Sequence, residues 1–153
     1  MIDRVENVGD AAEDIAEIER HCFSTPWTSE QVRQSDNRTV FFLAKIDGQA
    51  VGYGGMYTVL DEGYVTNIGV LPAFRRKGIG RKIVNSLIDF SLQNRLSFLS
   101  LEVRPSNDAA IALYRSLGFC AVGTRKNFYH KPQEDAIIMT RYFEDERAVD
   151  SGN

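Results

Sequence analysis

The 153 residues carry 18 lysines and arginines against 21 aspartates and glutamates, with 43% hydrophobic and 25% charged residues and a net charge of −3. This is the composition of one globular domain with a real core, and the acidic balance argues against broad nucleic-acid binding. Residues 1–6 lack the basic start and apolar run of a secretory signal, and no apolar stretch reaches the roughly 18 residues of a membrane span, so a cytoplasmic location is expected.

Residues 11–23 read as a first helix, with Ile15, Ile18 and Cys22 on one face and Glu13, Glu17 and Arg20 opposite. Ser24-Thr25-Pro26-Trp27 breaks it, and Thr28-Ser29-Glu30-Gln31 matches a capping box that opens a short second helix. Trp27, just before that cap, is either a loop aromatic closing the core edge or a substrate contact. Residues 39–46 form a strand rich in β-branched and aromatic side chains, and Asp47-Gly48 turns it into a second strand over 50–60. Gly52, Gly54 and Gly55 inside that strand signal a bend or a close backbone neighbour. Asp61-Glu62-Gly63 reads as the next turn, and residues 64–70 complete an antiparallel meander.

That third strand ends in Asn67-Ile68-Gly69-Val70 and runs into a basic loop, Arg75-Arg76-Lys77-Gly78-Ile79-Gly80-Arg81-Lys82. Five of the 18 basic residues fall here. After Gly80 the residues Ile83, Leu87 and Phe90 recur at helical spacing, with Val84 and Ile88 widening the stripe. A helix N-terminus favours an anion, and glycines at 78 and 80 keep side chains away from it, so the stretch reads as a pyrophosphate cradle. A P-loop needs Lys-Ser or Lys-Thr after its second glycine, where Arg81-Lys82 stand; a dinucleotide fingerprint needs glycine where Ile83 stands. An exposed basic helix start without a ligand is the plain alternative.

Residues 99–104 alternate, Leu99, Leu101 and Val103 on one face and Ser100, Glu102 and Arg104 on the other. Pro105 ends this strand, and Ser106 or Asn107 can cap a helix over 108–117 that stops at Gly118. On that helix Ala110, Leu113 and Leu117 form the more apolar stripe, while Ile111 and Tyr114 fall on another. Residues 119–125 and 135–143 read as the last strands, joined by a loop over 126–132, and residues 144–153 are a polar tail expected to fray. Strands with four helices interspersed describe an α/β layered domain over 1–143, built on one mixed sheet. Cys22 and Cys120 make neither a disulfide framework nor a metal pattern, and His21 and His130 lack ligand spacing, so no metal is expected.

Two side chains carry candidate chemistry. Glu102, ionised at neutral pH from a reference pKa near 4.3, can take a proton from an α-amine with a reference pKa of about 7.7–8. Its plain reading is a surface carboxylate paired with Arg104 or a lysine. Tyr114 is a phenol suited to protonating a departing thiolate, or else an amphipathic packing residue.

Arg75 to Gly80 fits the pattern Arg/Gln-x-x-Gly-x-Gly/Ala and resembles the acetyl-coenzyme A loop of the GNAT N-acetyltransferases. The stretch from Leu101-Glu102-Val103-Arg104-Pro105 through Tyr114 to Gly118-Phe119 deepens the likeness, with Asn67-Ile68-Gly69-Val70, Glu134-Asp135-Ala136-Ile137-Ile138-Met139 and Pro26-Trp27. Together they resemble the RimI-type ribosomal-protein-alanine N-acetyltransferases of that superfamily. The resemblance implies the GNAT fold, a mixed and mostly antiparallel central sheet flanked by about four helices. It implies acetyl-CoA as cosubstrate, with Glu102 as general base and Tyr114 as general acid in a direct attack. The backbone of Ile68, Gly69 and Val70 would bond the pantetheine arm where two central strands splay, an N–H near Val70 polarising the thioester carbonyl. Arg76, Lys77, Gly78, Ile79, Gly80 and Arg81 would wrap the diphosphate, and Asn107 would touch the cofactor from the following helix. The implied acceptor is the N-terminal alanine of the eighteenth small-subunit ribosomal protein, with no nucleic acid or membrane as partner. The loop over 126–133 keeps the family's pattern at Arg125 to Tyr129 but is shorter afterwards, and Tyr129 either lines the acceptor site or packs. The rivals are a GNAT enzyme for a small-molecule amine, a non-catalytic acetyl-CoA sensor, and nucleic-acid binding through residues 75–82.

Overall fold

The computed structural model describes residues 1–143; the polar tail expected over 144–153 lies outside the described residues. Seven strands and four α-helices follow one another as β1 (Ile2–Arg4), α1 (Val8–Cys22), α2 (Ser29–Arg33), β2 (Thr39–Ile46), β3 (Gln49–Val59), β4 (Glu62–Val70), α3 (Ile79–Gln93), β5 (Phe98–Val103), α4 (Asp108–Ser116), β6 (Cys120–Tyr129) and β7 (Glu134–Tyr142). The strand order is β1-β2-β3-β4-β5-β7-β6. The β4–β5 pair is parallel, and β1–β2, β2–β3, β5–β7 and β6–β7 are antiparallel, which is the mixed, mostly antiparallel sheet expected. The described residues form two compact units, Met1–Tyr57 with Thr66–Leu87, and Thr58–Val65 with residues 88–143.

In the first unit, Asp47 (φ 50°) and Gly48 (φ 81°) both take left-handed conformations, the two-residue turn that matches the twist of a hairpin. The β2–β3 pair follows with Phe41 opposite Gly55 and Leu43 opposite Tyr53. Helix α1 starts at Val8, ahead of the expected residue 11, because the Asn7 side chain caps it by accepting from the Gly9 N–H at 2.9 Å. The predicted capping box of α2 is present: Thr28 Oγ1 accepts from the Gln31 N–H at 3.2 Å, and Gln31 Oε1 accepts from the Thr28 N–H at 2.9 Å. Ala11, Ala12, Ile15 and Ile18 of α1 pack with Val32, Phe41, Leu43 and Tyr53. A second cluster joins Ala44 and Val51 to Ile79 and Ile83 of α3. Strand β1 escaped the sequence reading because three residues are too few to show a period.

The glycines of β3 mark close approaches. A Cβ on Gly54 would stand 2.5 Å from Ile83 Cγ2, and one on Gly52 would stand 3.0 Å from the Gly69 carbonyl oxygen. Helix α3 therefore rests on bare backbone.

In the second unit the turn after β3 is Leu60-Asp61, and Glu62 and Gly63 already belong to β4, correcting the turn expected at 61–63. Leu60 absorbs the corner in a left-handed conformation (φ 56°). Glu62, Gly63 and Tyr64 pair with Phe98, Leu99 and Ser100 of β5. Leu99, Leu101 and Val103 are buried as the alternation predicts, but Ser100 is buried too, its Oγ 2.9 Å from Thr140 Oγ1 of β7. The loop expected over 126–132 is largely strand: β6 continues to Tyr129 through a register shift, with Asn127 left-handed (φ 55°) and its N–H donating to Asp135 Oδ1 at 2.8 Å. Asparagine tolerates that conformation, so the chain bulges instead of leaving the sheet.

Gly54→Ala is expected to lower stability by about 1–3 kcal/mol, because its methyl cannot share space with Ile83. Urea melts at a fixed pH measure this; an unchanged midpoint would mean that α3 does not sit on β3 as described.

Candidate active site

The end of β4 and the loop after it form one part of the site, all within the first unit. Arg75 turns back on the strand, its Nε donating to the Val70 carbonyl at 2.9 Å and its Nη2 lying 3.7 Å from Cys22 Sγ. The Cys22 thiol donates to the same carbonyl at 3.3 Å, and burial pushes its pKa up, so it serves as a neutral donor. Gly69 is closely packed: a Cβ there would stand 3.2 Å from both Cys22 Sγ and Ile18 Cγ2 of α1. Ile68 and Val70 are half-buried against the cluster around Ile79 and Ile83.

The loop takes two left-handed residues, Arg76 (φ 63°) and Gly78 (φ 81°). The Lys82 N–H donates to the Gly78 carbonyl at 3.2 Å and opens the helical ladder, so the N–H groups of Ile79 and Gly80 stand at the helix's open end. Nothing lies within 4 Å of where a Gly78 Cβ would be. The expectation that Gly78 clears space is thereby refined: the space is open, and glycine is needed for the backbone angle. Arg76, Lys77, Arg81 and Lys82 are exposed around it. Open amides, open space and basic side chains together fit a diphosphate.

The second unit holds a polar cluster around Glu102 of β5. Glu102 Oε1 lies 3.1 Å from Arg125 Nε of β6, its side chain 23% exposed. The expected partner, Arg104, is engaged elsewhere: its Nη1 donates to the Pro132 carbonyl at 2.9 Å and to Glu134 Oε1 at 3.3 Å, and its guanidinium carbon sits 4.3 Å over the Tyr129 ring. Burial acts to raise the Glu134 carboxyl, but the Ser106 N–H and hydroxyl, each at 2.9 Å, and Arg104 outweigh it and hold it below its ordinary value. Tyr114 is the buried residue of α4, 9% exposed, its ring edge-on to Phe119 at 5.8 Å. The stripe expected to be most apolar, Leu113 and Leu117, is only half-buried. Burial pushes the Tyr114 phenol up to about 12. Tyr129 is also raised, by burial and then by the Glu102 charge and Tyr114, with Arg104 acting the other way. Tyr129 therefore lies within electrostatic reach of both Glu102 and Tyr114.

Among the described residues no group of three or more His, Cys, Asp or Glu is placed to hold a metal, and no helix is long and apolar enough to cross a membrane. Residues 12–119 match the model of the acetyltransferase (GNAT) family. This chain is a GNAT acetyltransferase.

It is 38% identical over 125 residues to the ribosomal protein bS18-alanine N-acetyltransferase of Escherichia coli, covering 80% of this chain and 84% of that one. It is 39% identical over 138 residues to the N-alpha-acetyltransferase RimI of Mycobacterium tuberculosis, covering 85% of each. The crystal structure of the E. coli ribosomal-protein-S18-alanine N-acetyltransferase matches it with a TM-score of 0.84 at 34% identity, over 93% of this chain and 92% of that one. The GNAT enzyme is thus an N-acetyltransferase that uses acetyl-CoA as its acetyl donor.

Of the residues singled out in the sequence of this GNAT chain, Ile68 to Val70 and Arg76 to Arg81 come together in the first unit. Glu102, Tyr114 and Tyr129 all lie in the second, where Tyr129 feels both of the others. Asn107 is the N-cap of α4, its Oδ1 accepting from the Ala110 N–H at 3.2 Å. Trp27 packs against the α1–α2 cluster, and its N–H donates to Glu19. The reading of the sequence quoted Arg125 and Glu134 only within motifs and did not pair them with Glu102 and Arg104, and it missed the buried Glu19. Glu19 alone left a local trace, a charged residue four positions after Ile15 on the apolar face of α1.

The raised Tyr114 phenol fixes a sign. Below pH 10 it is protonated folded or unfolded; between 10 and 12 the unfolded chain loses this proton first, so stability falls as pH rises. Across that interval the wild type is expected to lose about 2–3 kcal/mol more than Tyr114→Phe, read from urea melts at each pH. Parallel curves for the two proteins would remove the buried-phenol assignment.

Proposed function

We propose that this enzyme acetylates the N-terminal alanine of ribosomal protein bS18, in the cytoplasm, with residues 1–143 acting as one acetyltransferase domain. One observation carries the reading: over 80–85% of its length the chain is similar to two enzymes named as N-terminal acetyltransferases, one of them for this acceptor.

The chain's own residues divide the work. Arg76, Lys77, Gly78, Ile79, Gly80 and Arg81 hold the diphosphate of acetyl-CoA, through helix-end amides and flanking charge. The backbone of Ile68, Gly69 and Val70 binds the pantetheine arm. Because the Val70 carbonyl already accepts from Arg75 and Cys22, the strand offers the thioester its N–H side. Asn107 adds a contact from the start of α4, and Trp27 and Tyr129 wall the acceptor. Glu102 takes the proton from the incoming α-amine, which is largely protonated at neutral pH and must lose it to attack. Tyr114, a phenol that holds its proton at neutral pH, gives it to the coenzyme A sulfur as it leaves. Holding both substrates in one geometry supplies much of the rate, an effect worth up to roughly 7–11 kcal/mol.

The decisive test compares an Ala-starting basic peptide with a panel of small amines as acceptors, alongside mass spectrometry of protein N-termini from cells with and without the chain. Turnover of the peptide and loss of bS18 acetylation are expected; turnover of small amines alone would overturn the acceptor assignment. Glu102→Gln is expected to lower kcat by about 10²–10⁴-fold while calorimetric binding of acetyl-CoA stays within twofold. Gly78→Val, which cannot hold φ 81° without strain, is expected to lose that binding. Full biological effect from Glu102→Gln would favour the sensor reading instead.

A further inference from the structure

Glu19 is 0% exposed, although its neighbours Arg20 and Glu17 on α1 lie at the surface. The groups that meet its carboxylate are uncharged donors from three other segments. Oε1 accepts from the Trp27 N–H at 3.0 Å, and Oε2 accepts from the Tyr53 hydroxyl at 2.9 Å. Asn67 Nδ2 lies 3.3 Å from each oxygen. Burial raises the Glu19 carboxyl above its ordinary range, with Trp27, Tyr53 and Asn67 opposing. A buried carboxylate is a costly way to fill a core position, so its contacts define what it is for.

Those contacts join two parts of the proposed site. Trp27 stands just before the Thr28 cap of α2, in a segment outside any strand or helix. Asn67 immediately precedes Ile68-Gly69-Val70. We propose that Glu19 is a positioning residue that fixes the Trp27 segment against β4 and thereby sets acceptor binding. The inference rests on the reading of Trp27 as an acceptor wall. Asn67 lies within strand β4, whereas Trp27 belongs to no strand or helix, so loss of Glu19 falls on the Trp27 side.

The test is a comparison of Glu19→Leu with Glu19→Gln in the full chain. Leucine leaves the Trp27 N–H without a partner. Glutamine keeps one carbonyl oxygen for it, and the Tyr53 hydroxyl can turn to accept from the new amide. With an Ala-starting peptide, Glu19→Leu is expected to raise the acceptor KM at least about tenfold, with the acetyl-CoA KM within twofold; Glu19→Gln is expected to restore the acceptor KM to within about threefold. Trp27 is the chain's one tryptophan, so intrinsic emission reports this segment alone, and it should shift to the red in Glu19→Leu and not in Glu19→Gln. A folded Glu19→Leu with unchanged acceptor KM overturns the proposal, as does a fall in kcat and both affinities in step with melting temperature. If Glu19→Leu does not fold, Tyr53→Phe decides: it keeps the Trp27 bond, so stability should fall while acceptor KM and emission stay. A parallel rise in acceptor KM there overturns the tether. Should the wild type turn over no peptide, the acceptor reading fails by itself, and emission still tests the tether.

Discussion

Helix α3 stands where it does because Ile83 lies on a strand position that has no side chain. Gly54 leaves a gap that the Ile83 Cγ2 fills, and Ile79, Val51 and Ala44 close around it. A contact of this kind is rigid, since neither partner has a rotamer that relieves it. The first turn of the helix, and with it the amides of residues 79 and 80, is fixed by core packing. Arg75 secures the other end of the loop by bonding the Val70 carbonyl, so the segment between strand and helix is anchored on both sides. An anion site made from backbone needs this stiffness, because its donors have no side-chain freedom to adjust.

The second unit solves a different problem, pairing the Glu102 carboxylate without fully burying it. The Glu102–Arg125 pair is half open to water, where such a pair contributes roughly 0–1 kcal/mol. Its use is orientation. Arg104, which has Glu134, two carbonyls and the Tyr129 ring as partners, braces the chain between β5 and the β6–β7 turn. That bracing keeps Tyr129 beside Glu102, while Tyr114 approaches from α4 with its ring packed on Phe119. The packing and chemical readings of Tyr114 are compatible, since a buried phenol keeps its proton to a still higher pH than a free one.

Local signals were legible and long-range ones were not. The α2 capping box, the Asp47-Gly48 turn and the helix start after the basic glycine loop each depend on residues within a few positions, and each appears as read. Strand β1 is held by pairing to β2, a contact between residues 2–4 and 42–44 that no short window contains. The partner of Glu102 was misassigned for the same reason. Arg104 is nearest in sequence, but the β5–β7–β6 register brings Arg125 alongside. The β6 bulge was read as a loop because Asn127 is a turn former, and the residue keeps that habit inside a strand. Glu19 was overlooked because charge outweighed its place on the helix, although its spacing from Ile15 already put it inward.

Arg76 holds a left-handed backbone angle that a glycine would adopt freely, at a penalty of roughly 1–2 kcal/mol for a residue with a side chain. The chain keeps a cation at that corner in preference to an easier turn. Drift toward glycine there would yield a sturdier turn with one cation fewer beside the start of α3, and strained loops commonly trade robustness in this way. Heat tolerance would therefore favour glycine at this one position, and the local positive charge would favour arginine.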